Sequence, residues 1–146
     1  MKFLIIYGPN LNMLGLREPA IYGDRSYATL CALCESWCAE AGVEYEIFQS
    51  NHEGALVDKI QEAFGKVDGI VINPAAYTHT SVAILDALKS VAIPTVEVHI
   101  SKVSEREAFR QVSFVSYYAA RTIQGMGFEG YGEAIRWLKA HIRENK

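Results

Sequence analysis

Strand-length apolar runs alternate with helix-period segments along the chain. KFLIIYG (2–8) is a continuous apolar run, as in a buried strand. SYATLCALCESWCAEAG (26–42) repeats apolar residues every three or four positions, with Ser26 as N-cap and Gly42 as C-terminal stop. VEYEIFQ (43–49) is a second strand, and NHEGALVDKIQEAFGK (51–66) a helix with Leu56, Ile60 and Phe64 on one face. GIVINP (69–74) is a short apolar strand ending at Pro74, and THTSVAILDALKSV (78–91) a helix with a hydroxyl-rich start. PTVEVHI (94–100) is the fourth strand, SEREAFRQ (104–111) a short helix, AARTIQG (119–125) the fifth strand, and YGEAIRWLKAHIRENK (131–146) a closing amphipathic helix.

This β–α alternation predicts an α/β fold: a parallel sheet with helices on both faces and right-handed crossovers. Five strands suggest a flavodoxin-like three-layer sandwich of order 2-1-3-4-5. The length of 146 residues fits one domain, 1–146, with a sizeable core. In such sheets ligands bind beyond the carboxyl ends of the strands, near the switch point between strands 1 and 3. Here those ends carry Gly8-Pro9-Asn10, Gln49-Ser50-Asn51-His52, Asn73-Pro74 and Glu97-Val98-His99-Ile100-Ser101. Four polar strand ends side by side predict the site.

Composition narrows the function classes. Half the residues are apolar, about a fifth are charged, and the net charge is −3. No Lys/Arg cluster offers a footprint for nucleic acid. No apolar run is long enough to span a bilayer, and the N-terminus lacks a signal peptide's long apolar core. The cytoplasm is the simplest location. Cys31, Cys34 and Cys38 share one helix face with Leu30, Leu33 and Trp37, which favours a core role over a thiolate metal or iron–sulfur site.

The loop GPNLNMLGLREPAIYG (8–23) lacks GxGxxG and the Gly-Lys-Ser/Thr of a P-loop, so it is a poor phosphate cradle. Glu97 and His99 lie two apart on a strand and project from the same face. They form either a general acid–base pair or a buried salt pair, and the strand-end position favours the first. His79 stands at a helix start, where it reads equally as a ligand contact or an exposed cap residue. Arg106 and Arg110 lie one turn apart, either on a solvated face or reaching a polar ligand, with Val103 and Phe109 holding that helix to the body. Apart from Lys2, the opening residue of the first, no lysine sits in a predicted strand, which disfavours a Schiff base. No HExxH, carboxylate cluster or GxSxG elbow appears, so metal and serine chemistry fit poorly.

GPNLNMLGLREPAIYG, QSNHEG, INPAAYTHTS, VEVHIS and REAFR occur in this order over nearly the whole chain. Together they resemble the successive motifs of type II 3-dehydroquinate dehydratases. The resemblance implies loss of water from 3-dehydroquinate to give 3-dehydroshikimate through an enolate. That step serves the shikimate route to aromatic amino acids or quinate breakdown, without a Schiff base, metal or organic cofactor. It implies that Tyr22 is the base, with Arg17 favouring its phenolate. Closure of the loop would deliver that base and exclude water. Asn10 would help hold the groups or water that stabilise the oxyanion. His99, oriented by Glu97, would protonate the departing hydroxyl. Asn73, Ser101 and the backbone N–H of Ile100 would anchor carboxylate and ring hydroxyls, with His79 and Arg110 also on hydroxyls. Asp86 would reach a neighbouring subunit's site in a homo-oligomer of trimers assembled into a dodecamer.

Three positions depart from the common pattern: Ala75 and Arg121 replace glycine, and Lys102 replaces asparagine, adding positive charge beside the carboxylate anchor. A non-catalytic flavodoxin-like module for a small polyol acid or nucleotide is the main alternative. An oligomeric scaffold with solvated strand ends is another. The co-occurrence of Arg17, Tyr22, Glu97 and His99 argues against the binding module, since a binder needs no base and acid.

Overall fold

A computed structural model describes residues 1–16 and 25–146. Five parallel strands form one sheet in the order β2-β1-β3-β4-β5. They are β1 (Lys2–Tyr7), β2 (Glu44–Gln49), β3 (Gly69–Asn73), β4 (Thr95–His99) and β5 (Arg121–Gln124). Among the described residues, four α-helices connect and close the sheet: α1 (Tyr27–Ala41), α2 (Glu53–Glu62), α3 (Val82–Val91) and α4 (Glu129–Glu144). This is the flavodoxin-like three-layer arrangement that the alternating pattern predicts.

Side-chain alternation along the central strands builds two cores. Phe3, Ile5 and Tyr7 of β1, Val71 of β3 and Val96 and Val98 of β4 face α1 and α4, meeting Leu30, Cys34, Ile135 and Leu138. Leu4, Ile6, Ile70 and Ile72 face the other way onto Leu56 and Ile60 of α2 and Ile84 and Leu88 of α3. Burial of these apolar side chains, each stabilising by about 1.5–3 kcal/mol, fixes the strand register. Ser26 caps α1, its Oγ accepting from the Thr29 N–H at 3.2 Å, and Gly42 ends the helix at φ 70°.

Cys34 and Cys38 are fully buried in the α1 layer, and Cys31 packs partly buried beside them. Burial pushes the Cys34 thiol up to about 12 and that of Cys38 up to about 11, so both pack as neutral hydrophobes. Among the described residues no three His, Cys, Asp or Glu side chains converge as a metal ion requires. No helix among them is long and apolar enough to cross a membrane.

Several local expectations need correction. Phe64 is 68% exposed, because α2 stops at Glu62 and the chain turns at Gly65 before the helical period can bury it. The segment 78–91 is not one helix: a 3₁₀ turn covers Ala75–His79, and α3 starts at Val82 after the Ser81 cap. The segment 104–111 contains no α-helix, only 3₁₀ turns at Val103–Glu105 and Ala108–Arg110. With no continuous helix face to seat it, Phe109 is 71% exposed and does not hold the segment to the body. Gln111 instead holds the segment together internally, its Nε2 donating to the carbonyls of Val103, Arg106 and Glu107 at 3.1, 3.0 and 3.2 Å, and the Ser104 N–H ties it to β5 by donating to Gln124 Oε1 at 3.2 Å.

Candidate active site

The carboxyl ends of β1, β3 and β4 surround a cleft of about 330 Å³. Asn10, Asn73, His79, His99, Ile100, Ser101 and Arg110 line it, all seven named from sequence, together with Arg106. Arg17 and Tyr22 lie outside the described residues. The structure does place the two ends of their loop side by side. The Tyr27 N–H donates to the Leu14 carbonyl at 3.3 Å, and a Cβ on Gly15 would lie 2.9 Å from Ser26 Cα. Gly15, at φ 81°, is therefore required by close approach and backbone conformation.

The floor depends on β1 and β3 approaching closely. The Gly8 N–H donates to the Asn73 carbonyl at 2.7 Å, and a Cβ at Gly8 would stand 2.4 Å from the Pro74 oxygen. Only glycine fits there. Asn10 follows in the left-handed region at φ 70°, which asparagine tolerates, and its N–H donates to Asn51 Oδ1 at 3.0 Å. The end of β2 thus braces the cleft from outside: Gln49 Nε2 bonds the Gly8 carbonyl and Asn51 Oδ1, both at 3.1 Å, and the Tyr77 hydroxyl donates to the Asn51 carbonyl at 2.8 Å.

Glu97 and His99 sit on the α2/α3 face of β4, following the alternation that sends Val96 and Val98 to the opposite core. Glu97 is completely buried, and its Oε2 is bonded to Nε2 of His99. Four hydroxyls complete its shell. Thr78 and Ser113 donate to Oε2 at 3.1 and 2.7 Å, and Ser116 and Thr122 to Oε1 at 2.6 and 3.3 Å. Burial pushes the Glu97 carboxyl up, but the His99 contact and the Ser116 and Ser113 hydroxyls outweigh it and hold it below the usual carboxylate range. A buried anion supported in this way fixes the imidazole and stabilises its protonated form. Glu97 and His99 also border a second cavity of about 400 Å³, lined by hydroxyls including Ser113, Ser116, Tyr117 and Thr122.

Asn73 stands on the other face. Its Nδ2 donates to the Tyr131 hydroxyl at 2.8 Å, and its Oδ1 accepts from the Ala75 N–H at 3.0 Å. His79 ends its 3₁₀ turn and donates from Nδ1 to the Val112 carbonyl at 2.8 Å, so it does not stand at the N-terminus of an α-helix. Arg110 is paired through Nε with Glu107 and lies 5.1 Å from the Phe109 ring. Asp86 is exposed on α3 and does not line this cleft. Lys102 does not line it either: its ammonium pairs with Glu105 at 3.4 Å. Arg121 pairs with Glu133 at 3.1 Å and sits 5.7 Å over the Trp137 ring, remote from the cleft. Ala75 holds φ 52°, a strained value that explains why glycine suits the position.

Gln49 and Asn51 belong to a polar strand end picked out from sequence, but Thr78, Ser113, Ser116, Thr122 and Tyr131 were not legible as site residues. The latter are single polar side chains scattered over turns, a strand and a helix, with no spacing to mark them.

The model of the family described as Dehydroquinase class II matches residues 1–139. The 3-dehydroquinate dehydratase of Endomicrobium trichonymphae is 52% identical over 135 residues, covering 92% of this chain and 94% of that protein. The catabolic 3-dehydroquinase of Verticillium alfalfae is 53% identical over 142 residues, covering 97% and 95%. The crystal structure of type II dehydroquinase from Butyrivibrio crossotus superposes with a TM-score of 0.90 at 52% identity, covering 95% of this chain and 97% of that one. With the strand order, the cleft and the Glu97–His99 pair in place, the chain belongs to the class II dehydroquinase family.

Proposed function

We propose that this chain is a hydro-lyase that converts 3-dehydroquinate to 3-dehydroshikimate and water through an enolate, as a step of the shikimate pathway. One observation carries the site reading: a fully buried carboxylate holds His99 at the edge of a strand-end cleft lined by amide, imidazole and guanidinium groups. An imidazolium held there is suited to protonate a departing hydroxyl.

The remaining roles follow the motifs shared with the family. Tyr22 removes the proton from the carbon beside the ketone, and Arg17 favours its phenolate. General-base action of this kind contributes about 10²–10⁴ in rate. Asn10 helps hold the groups that stabilise the enolate oxygen. Asn73, Ser101 and the Ile100 N–H anchor the substrate carboxylate and hydroxyls, assisted by His79 and Arg110. The reaction is a proton abstraction followed by loss of the hydroxyl as water, its proton supplied by His99, and it draws on no cofactor.

Residues 1–146 act as one catalytic domain in the cytoplasm, assembled as trimers within a dodecamer. Exposed Phe109 and Tyr117 support an assembly that buries them, and exposed Asp86 is free to enter a neighbour's cleft.

Mixing the protein with 3-dehydroquinate and following the ultraviolet absorbance of the conjugated enone tests the reaction. Absence of signal at high protein concentration rules it out. Tyr22→Phe is expected to lose at least about 10²-fold in turnover with binding largely kept. Near-normal turnover in that variant removes Tyr22 as the base.

A further inference from the structure

Asn73 and His99 reach the cleft from opposite faces of the sheet, and their supports differ in kind. Behind His99 stands the hydroxyl shell of Glu97. Behind Asn73 stands a group of buried phenols on the α1/α4 side. Tyr131, in the first turn of α4, is fully buried and accepts the Asn73 Nδ2–H at 2.8 Å. The Ala75 N–H, donating to Oδ1 at 3.0 Å, labels the opposite end of the same amide. Turning the amide over would set its NH₂ against the Ala75 N–H, donor against donor. The two bonds therefore hold one orientation and leave one Nδ2 hydrogen for the cleft that Asn73 lines. Burial pushes the Tyr131 phenol far above its ordinary range, so the hydroxyl stays neutral and available as an acceptor.

We propose that Tyr131 is a positioning residue for substrate binding: its hydroxyl aims the Asn73 amide so that the remaining Nδ2 hydrogen meets an anionic or hydroxyl-bearing group of the substrate. This rests on the reading above that Asn73 anchors substrate. Tyr131 does not line the cleft, so it acts through Asn73 alone.

Tyr7 provides an internal control. It is equally buried, its ring centroid lies 5.4 Å from that of Tyr131, and its hydroxyl bonds Cys34 Sγ at 3.0 Å instead of a cleft residue. Steady-state kinetics of Tyr131→Phe and Tyr7→Phe on 3-dehydroquinate separate the cases. Tyr131→Phe is expected to raise KM about tenfold with kcat within about twofold, the mark of lost ground-state binding. Tyr7→Phe is expected to lose comparable thermal stability and leave KM within about twofold. In an Asn73→Ala background, Tyr131→Phe is expected to add nothing to KM.

An unchanged KM in Tyr131→Phe, an equal rise in Tyr7→Phe, or additivity with Asn73→Ala overturns the proposal. Should Tyr131→Phe not fold, a fluorinated tyrosine at 131 keeps the shape but weakens the acceptor. KM is expected to rise a few-fold, and an unmoved KM overturns the proposal. Failure of the enzyme reading itself shows as an inactive unmodified protein, before any variant is made.

Discussion

Replacing Glu97 by glutamine removes one charge at nearly constant shape and tests the pair at the centre of the site. The carboxylate is fully buried and bonded to His99, Thr78, Ser113, Ser116 and Thr122. Two unit charges about 4 Å apart interact by about 4 kcal/mol at an effective dielectric of about 20. A neutral amide keeps a hydrogen bond but loses most of that term, leaving a net loss of about 3 kcal/mol after relaxation. The positive charge that develops on the catalytic imidazole loses that much support, equivalent to a factor of about 10² in rate. We therefore expect kcat in Glu97→Gln to fall about 10²-fold near neutral pH, with KM changed by less than about threefold. The hydroxyls of Ser116, Ser113, Thr78 and Thr122 can turn to accept from the new NH₂, so the fold should survive. Enone absorbance gives kcat and KM, and circular dichroism confirms folding. A folded Glu97→Gln protein with kcat within threefold of normal would refute the argument that the carboxylate stabilises a catalytic imidazolium.

Two further outcomes concern stability. Glu97 is held below its ordinary carboxyl range, so its contribution is present above about pH 4.3 and is lost as pH falls through the lower folded value. Thermal melts of Glu97→Gln should show a shallower acid-side slope than the unmodified protein, by up to about 1.4 kcal/mol per pH unit, and equal slopes would contradict this. Ala92 ends α3 at φ 55° while exposed, so its Cβ adds strain of about 1–2 kcal/mol without packing in return. Ala92→Gly relieves that strain against an added chain-entropy cost of about 0.5–1 kcal/mol, and a rise of about 2 °C in melting temperature is expected. A fall in melting temperature would mean that the backbone is not strained there.

The sheet order was legible because Phe3, Ile5 and Tyr7 alternate with Leu4 and Ile6 in a run too short for a helix, and the same logic holds for 69–73 and 95–99. The rule that ligands gather at strand carboxyl ends then located Asn10, Asn73, His99 and Ser101 without any family knowledge. What local pattern missed was decided by tertiary context. Residues 104–111 have an amphipathic look, yet 3₁₀ turns won because no apolar surface lies opposite Phe109. The hydroxyls around Glu97 arrive from a turn, a loop and β5, distances in sequence of 16 to 25 residues, and no short-range signal encodes such a convergence.

That convergence has a physical cause. Glu97 occupies a strand position whose register partners are Ile72 and Thr122 and whose face is otherwise occupied by the apolar contacts of α2 and α3. An unpartnered carboxylate there would take up a proton rather than bear the cost of burial. A neutral acid could not stabilise an imidazolium, so the His99 contact, backed by the Ser116 and Ser113 hydroxyls, is what keeps Glu97 ionised and chemically useful. Asn73 faces the opposite requirement. It is a neutral amide among neutral phenols, where orientation rather than charge must be secured. The sheet keeps these demands apart: charge is managed on the α2/α3 face, amide geometry on the α1/α4 face, and the strand ends bring both results into one cleft.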